Sequence, residues 1–140
     1  MKKIINAASV ILALCLVFCF VACNKVDKEG LWENAIYRKD MEFGKGSKTF
    51  SLEVKVGEES VIFTVNTDKE TVGEALIEHK LIEGEDGQFG MYVKKVNGIE
   101  ADYNKDKHYW AFYVNGEYAM SGIELTEIDE SATYMLEYSK

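Results

Sequence analysis

The chain has 140 residues, of which 24 are acidic and 16 are lysine or arginine, so its formal net charge is −8. This balance argues against nucleic acid and anionic lipid headgroups as partners, because both repel a negative surface. The three cysteines, Cys15, Cys19 and Cys23, all lie within the first 23 residues. The rest of the chain therefore has no thiol, disulfide or cysteine metal ligand, and a fold there depends on its hydrophobic core.

The N-terminus has the pattern of a secretory signal peptide. Lys2 and Lys3 precede an apolar stretch, Val10–Ala22, that is shorter than the roughly 20 residues of a transmembrane helix. The end of this stretch, Phe20-Val21-Ala22-Cys23, resembles a bacterial lipobox, with phenylalanine where leucine is usual. We therefore expect residues 1–22 to be a lipoprotein signal peptide. Cys23 would then carry a diacylglycerol thioether, with palmitate-like chains that hold the protein on the extracytoplasmic face of the cell membrane.

A polar segment follows the expected lipidation site. Residues 23–48 contain only scattered apolar side chains, and Gly44 and Gly46 mark the entry to a folded part. We interpret 23–48 as a flexible tether and 49–140 as the folded domain. The alternative is a short helix around Leu31–Arg38 that docks on the domain. Cleavage before Cys23 would leave 118 residues with a formal charge of −10, since the removed segment has two lysines and no acid.

The first half of the domain is predicted to be a hairpin followed by a helix. Apolar residues alternate with polar ones over 50–56 and again over 61–65, with the turn signal Gly57-Glu58 between them. Thr71 and Glu74 have capping-box spacing, so a short helix is predicted over 71–80. This order of elements favours an α+β domain, with one helix packed on a mainly antiparallel sheet.

The second half reads as strands and turns. Each element is indicated by β-branched and aromatic residues between glycine or asparagine signals. The predicted elements are an acidic loop at Glu83–Gly87, a strand at Phe89–Val96, the turn Asn97-Gly98, an aromatic strand at Tyr109–Val114, the turn Asn115-Gly116, a returning strand at Tyr118–Ile123 and a final strand at Thr133–Tyr138.

Residues 60–138 resemble the family of domains similar to the C-terminal domain of transcobalamin and intrinsic factor. The resemblance is carried by Thr71–Leu76, Phe89–Val93, Val96–Ile99, Tyr109–Gly116 and Gly122-Ile123, in that order. It implies a small, compact β-grasp-like fold. In the vitamin carriers of this family the domain covers one face of cobalamin, while a separate helical domain holds the other face.

The aromatic strand supplies the candidate binding residues. Trp110, Phe112 and Val114 point to one face of the sheet, and Tyr109, Ala111 and Tyr113 point to the other. One set should pack beneath the helix, and the other should form an exposed aromatic surface; alternatively, the aromatics fill both faces. Stiff aromatic rings suit a flat ligand or a partner chain. The full candidate set is Tyr92, Tyr109, Trp110, Phe112, Tyr113, Tyr118 and Met120, with Asn97, Gly98, Asn115 and Gly116 as turn-forming residues.

Catalytic and metal-binding patterns are weak. His79 and His108 have no neighbours that indicate a triad or a metal site. Asp102, Asn104 and Asp106 have the opening spacing of a calcium loop, but Lys107 stands at its glycine position and Tyr113 at its closing glutamate. We therefore expect neither an enzyme nor a bound cofactor or metal.

Two functions remain. The first is a lipid-anchored extracytoplasmic binding module whose aromatic surface takes a flat small molecule, with cobalamin or another corrinoid implied by the resemblance. The second is a surface protein–protein or adhesion module without a small-molecule ligand, which binds a transporter subunit, a wall component or a second copy of itself.

Overall fold

The computed structural model describes residues 30–140. Within this range, Asn34–Lys140 form one compact unit. The predicted signal peptide, Cys23 and the first residues of the predicted tether lie outside the described residues. No helix in the described range has the length and apolar character needed to cross a bilayer.

The main element of the domain is a six-stranded sheet with the order β1-β3-β2-β9-β7-β8. The β2–β3, β7–β9 and β7–β8 pairs are antiparallel, whereas β1 runs parallel to β3 and β9 parallel to β2. The α+β prediction with a mainly antiparallel sheet is confirmed. The strands are β1 (Met41–Phe43), β2 (Lys48–Val56), β3 (Glu59–Thr67), β7 (Tyr109–Val114), β8 (Glu117–Tyr118) and β9 (Thr133–Ser139).

One face of this sheet forms the core. The alternation seen in the sequence puts every second residue of β2 and β3 on the buried face. The registers Leu52↔Tyr134 and Phe112↔Leu136 continue this face across β9 to β7. The fully buried side chains at its centre include Leu52, Val54, Phe63, Val65 and Leu136.

A helix and a small second sheet complete the unit. Helix α1 (Val72–Glu78) contacts β3 and β4, and β5 contacts β7. The predicted capping box is present: Thr71 accepts from the Glu74 N–H, and the Glu74 carboxylate accepts from the Thr71 N–H. The second sheet has the order β4-β5-β6, with β4 (Ile82–Gly87), β5 (Gly90–Val96) and β6 (Ile99–Glu100).

Gly73 sets the distance between α1 and the loop that follows β8. A Cβ at this position would lie 2.6 Å from the Glu124 Cα and 2.8 Å from the Glu124 N. Alanine usually stabilises a helix relative to glycine by about 1 kcal/mol. Here the clash is with backbone, so we expect Gly73→Ala to lower the free energy of unfolding by about 1–3 kcal/mol in urea denaturation. The control is Ile77→Ala on the exposed side of α1; a Gly73→Ala variant as stable as the parent would show that the approach is not tight.

Two predicted elements are wrong. Glu83–Gly87, predicted to be a loop, forms most of β4. It is exposed along its length, so it lacks the apolar alternation of a half-buried strand, and its pairing with β5 is supported by Lys94–Glu85 and Lys95–Glu83 ion pairs at 3.0 and 3.6 Å. The returning strand predicted at Tyr118–Ile123 is only the two-residue β8, because the chain then leaves the sheet and Ile123–Leu125 form a 3₁₀ helix.

Residues 34–48 belong to the compact unit, so this part of the predicted tether is not a flexible tether. Asn97 holds the backbone of Tyr37 at both its N–H and its C=O, and β1 pairs with β3. The rings of Tyr37 and Phe43 pack on Phe63 with centroids 6.0 and 5.4 Å away. Docking, as in the alternative, is therefore present, but Ile36 and Tyr37 are not helical. The docking of this segment was not evident from its sequence, because only isolated apolar side chains contact the core.

The Asp68 carboxylate stabilises the turn before β2 by hydrogen bonding. It accepts from the N–H and the hydroxyl of Ser47, at 2.9 and 3.1 Å, and these bonds hold the pKa of Asp68 below its usual range. A lowered pKa in the folded state means that the stabilisation is present above the unfolded pKa, near 3.9, and is lost as the pH falls through the folded pKa. We therefore expect Asp68→Asn to flatten the acid side of a melting-temperature profile, whereas Glu58→Gln, in the exposed β2–β3 turn, should leave its shape unchanged. An identical acid limb in both variants would contradict this role.

Candidate ligand-binding groove

The register of β7 with β9 shows which face of β7 points into the core. Trp110, Phe112 and Val114 lie on the core face, opposite Tyr138, Leu136 and Tyr134 of β9. The Trp110 indole N–H donates to the Ile99 carbonyl at 3.1 Å, and the Phe112 ring stacks on Tyr134. Tyr109, Ala111 and Tyr113 therefore form the outer face.

Part of the edge of β7 has no neighbouring strand. The Ala119 N–H donates to the Phe112 carbonyl at 2.9 Å, which is the last bond between β7 and the chain that follows β8. Because hydrogen-bonding groups alternate in direction along an antiparallel strand, the main-chain groups of Trp110 point to this same side. On that side β5 approaches β7 without forming a ladder with it. The space between the two strands is open to solvent.

An apolar depression of about 380 Å³ occupies this space. Met91 and Tyr92 of β5 and Trp110 and Phe112 of β7 form its walls. Its lip, which we define as Phe89 and Met120, is 84% and 100% exposed. Large apolar side chains are seldom left this exposed together unless something covers them.

The two segments that carry the lip are held together by backbone contacts. Phe89 lies in the β4–β5 turn and Met120 in the loop after β8. The Glu124 carboxylate accepts from the Met91 N–H, which joins the loop to the start of β5. A Cβ on Gly122 would lie 3.2 Å from the Phe89 carbonyl oxygen, so the loop packs closely on the turn. The lip is thus positioned by main chain and by one carboxylate.

A second depression of about 420 Å³ adjoins the first and shares Tyr92 and Tyr109 with it. We call it the tyrosine depression, and the two together the groove. Its remaining lining residues are Lys94, Asp102, Tyr103 and Asn104. The bond to Glu85 raises the pKa of Lys94, and burial raises the pKa of Tyr92, so at neutral pH the ammonium is charged and the phenol is a neutral donor.

Most of the candidate residues from the sequence meet at the groove. Tyr92, Tyr109, Trp110, Phe112, Tyr118 and Met120 all line the apolar depression. Tyr113 lines neither depression; it lies on the outer face, with its ring centroid 5.7 Å from that of Tyr118. Sequence reasoning missed Phe89 as a site residue because it was assigned to a strand. Its position between Gln88 and Gly90, in a glycine-flanked turn, was the available signal.

The turn-forming residues have the positive φ that their turns require. The values are 51° and 81° for Asn97 and Gly98, and 52° and 80° for Asn115 and Gly116. Asn115 also accepts from the Thr133 N–H at 2.9 Å. Asn97 does more than turn the chain, because its side chain binds Tyr37.

The histidines lie outside both depressions, whereas Asp102 and Asn104 of the acidic turn line the tyrosine depression. His108 stacks on Tyr138 and lies 3.2 Å from the Asp106 carboxylate, and His79 lies against the Phe43 ring. The segment that resembled a calcium loop contains the short helix α2 (Tyr103–Asp106). The Asp102 carboxylate caps this helix by accepting from the Asn104 N–H. Within residues 30–140, no three His, Asp or Glu side chains come close enough to hold a metal ion.

Comparison with known proteins identifies the family. Residues 69–140 match the model of a domain of unknown function, DUF4430. The chain belongs to this family. The matched region begins just before α1 and includes every strand that forms the groove of this DUF4430 protein. No curated protein matches the chain.

Two solved structures are similar to this DUF4430 protein. One is a suggested metal-binding protein from Ruminococcus gnavus, with a TM-score of 0.62 and 24% identity over 67% of this chain and 98% of that chain. The other is haptocorrin in complex with Cbi, with a TM-score of 0.57 and 19% identity over 70% of this chain. The alignment spans 26% of the haptocorrin chain. These similarities show a shared fold and agree with the fold that the sequence resemblance implies.

Proposed function

We propose that the domain is a binding module whose apolar depression takes the flat apolar face of a small molecule. The observation that carries the proposal is the lip: Phe89 and Met120 stand exposed above walls made of Tyr92, Trp110 and Phe112. A concave apolar site with a few polar groups at one end is the usual form of a small-molecule site. The depression is open on one side, so a flat ligand would rest one face on it.

A corrinoid is the leading candidate for this ligand. Haptocorrin, which shares the fold, was solved in complex with Cbi. A corrinoid offers a broad ring with polar groups at its rim, and the groove offers the apolar depression beside one whose lining includes Lys94, Asp102 and Asn104. Ring contacts would go to the apolar depression and rim contacts to Lys94, Asp102 and Asn104.

Calorimetric titration tests the corrinoid proposal. The protein from Asn24 onward, which contains the complete compact unit, would be titrated with cobalamin and with cobinamide. Saturable heat with one ligand per domain, and a rise in melting temperature with ligand concentration, are expected. No heat and no shift in melting temperature with either compound would remove the corrinoid as ligand.

A second candidate function rests on the open edge of β7. The main-chain groups of Trp110 face the groove beside the exposed lip, so an extended segment of a partner protein could add to this edge. A photoreactive crosslinker placed at Met120 on intact cells would distinguish the two. Capture of one defined protein that is not displaced by excess corrinoid would favour the interaction module, whereas loss of capture on corrinoid addition would favour the ligand site.

We also propose that the domain acts by binding rather than catalysis and is anchored through Cys23. Neither histidine lines the groove, and its two charged lining residues, Lys94 and Asp102, are ion-paired. The anchor follows from the lipobox-like sequence that ends at Cys23. Labelling cells with a radioactive fatty acid should mark the protein and fail to mark Cys23→Ser. Label in the Cys23→Ser variant would contradict lipidation at Cys23. Protection of the protein from a protease added outside the cell membrane would contradict its extracytoplasmic location.

A further inference from the structure

We propose that five tyrosines, Tyr92, Tyr103, Tyr109, Tyr113 and Tyr118, form a second binding surface for a neutral linear glycan, whose end enters the tyrosine depression. We call this set the tyrosine cluster. The inference does not rest on the corrinoid proposal. It concerns the outer face of β7 and the tyrosine depression, although Tyr92, Tyr109 and Tyr118 also border the apolar depression.

The tyrosine cluster is centred on β7. Tyr109 and Tyr113 point outward from β7 four residues apart, a distance of about 13 Å along the strand, roughly the length of two to three sugar rings. Tyr103 of α2 extends it at one end, with its ring centroid 6.4 Å from that of Tyr109, and Tyr118 of β8 extends it at the other, 5.7 Å from Tyr113. Ala111, between the two outward tyrosines, is fully covered by its neighbours. The surface is therefore elongated and has no deep gap.

The hydroxyl groups of the tyrosine cluster are available to a ligand. In the part of the chain that the structure describes, none of the five phenol oxygens hydrogen-bonds to protein, whereas the buried Tyr134 hydroxyl donates to the Asp129 carbonyl and accepts from the Asp129 N–H. The side-chain amide of Asn104 also has no bond within residues 30–140. A tyrosine presents an apolar ring together with a polar group. Sugars have the matching form, with an apolar C–H face and a hydroxylated rim.

The charges around the tyrosine cluster select a neutral ligand. Lys94 is paired with Glu85 at 3.0 Å, and Asp102 lies 3.8 Å from Lys105, so both charged residues that line the tyrosine depression have partners. At the end of the cluster, the Lys107 ammonium lies 4.8 Å from the centre of the Tyr103 ring. The chain as a whole carries a formal charge of −8, which disfavours anionic polymers. Glu137, the acid beside Tyr113, is paired with Lys55 at 3.7 Å. Neutral hydroxyl-rich chains remain the best match.

The length of the tyrosine cluster favours a polymer over a single sugar as the ligand. The tyrosine depression, about 420 Å³, holds only Tyr92, Tyr103 and Tyr109 of the cluster. Tyr113 and Tyr118 lie beyond it, as cross-strand partners on β7 and β8. A ligand that contacts all five rings must be longer than the depression. We therefore assign the surface to a linear chain.

The test uses the protein from Asn24 onward and soluble neutral hexasaccharides: cellohexaose, hexa-N-acetylchitohexaose and mannohexaose. We expect at least one to bind saturably, and to bind about tenfold more tightly than its disaccharide, because the disaccharide reaches fewer rings. No binding of any hexasaccharide at about 10 mM would overturn the proposal, since this is weaker than any useful affinity for such a surface. Equal affinity for hexasaccharide and disaccharide would also overturn it, because it would leave no role for Tyr113 and Tyr118.

Phenylalanine substitutions separate this surface from the corrinoid site. Tyr103→Phe and Tyr113→Phe each keep the ring and remove one hydroxyl, and each should lower glycan affinity about threefold to tenfold. Tyr37→Phe, in the remote contact with Phe43 and Phe63, is the control and should bind as the parent does. Tyr113 lines neither depression, so Tyr113→Phe should leave corrinoid binding unchanged. Unchanged glycan affinity in both variants, with melting temperatures like that of the parent, would place the glycan elsewhere.

Discussion

Replacing Asn97 with alanine is expected to lower the melting temperature of the domain by about 15 °C, which corresponds to a loss of about 3 kcal/mol in the free energy of unfolding. Asn97 is fully buried in the Asn97-Gly98 turn between β5 and β6. Its side chain accepts from the Tyr37 N–H at 2.9 Å and donates to the Tyr37 carbonyl at 2.7 Å. Differential scanning calorimetry measures the change directly.

The size of this effect has two physical sources. Alanine leaves the N–H and the C=O of Tyr37 without their partners, and each unsatisfied, partly buried group costs about 1–3 kcal/mol. Asn97 also has a φ of 51°, and alanine in this left-handed conformation costs roughly 1 kcal/mol more. The backbone of Asn97 adds bonds to Leu81 and from Ile36, so loosening this residue also loosens the N-terminal segment.

Asn115 provides a matched control. It occupies the same position of a type I′ turn, with a φ of 52°, but its turn is exposed and its side chain makes a single bond, to the Thr133 N–H. Asn115→Ala should therefore cost about 1–2 kcal/mol. Asn97→Gly keeps the turn geometry and removes only the side-chain bonds, so it should fall between the two. Equal losses at Asn97 and Asn115 would show that the bonds to Tyr37 do not stabilise the fold.

Replacing both Phe89 and Met120 with serine is expected to weaken binding of the flat ligand at least about hundredfold. Each side chain would lose the apolar area that the ligand covers, worth about 1.5–3 kcal/mol for a side chain of this size. Both are almost fully exposed in the free protein, so the double variant should keep the melting temperature of the parent. Calorimetric titration gives the affinity, and a thermal melt gives the stability.

The control for this pair is Ile62→Ser combined with Ile77→Ser. These isoleucines are also exposed, on β3 and α1, and neither lines the groove. Their replacement also removes exposed apolar surface, though less of it, and should leave ligand affinity unchanged. If both double variants bind ligand as the parent does, the lip is not the binding surface.

Much of the fold could be predicted from local sequence. The alternation in 50–56 and 61–65 gives β2 and β3, and Thr71 with Glu74 gives the start of α1, because these signals depend on neighbouring residues alone. The Asn-Gly pairs give two type I′ turns for the same reason. The resemblance to the transcobalamin-like family added the overall arrangement, which the haptocorrin fold supports.

The rest depended on pairing between distant parts of the chain. The exposed strand β4 exists because it pairs with β5, and β1 exists because it pairs with β3, so neither has an apolar period of its own. The register of β7 with β9 determines which face of β7 is buried. Alternation alone could not determine this, because β7 has aromatic residues on both faces. Phe89 was missed for a related reason: it becomes part of a site only because the loop with Gly122 folds back against its turn.

The most direct test of the binding proposal is a two-dimensional ¹H–¹⁵N nuclear magnetic resonance titration of the domain with cobalamin and cobinamide. We expect saturable shifts concentrated at the amides of Phe89, Met91, Tyr92 and Met120, with little change at Ile62 or Lys55 on the far part of the sheet. An absence of shifts with both compounds, or shifts centred on β2 and β3, would contradict it.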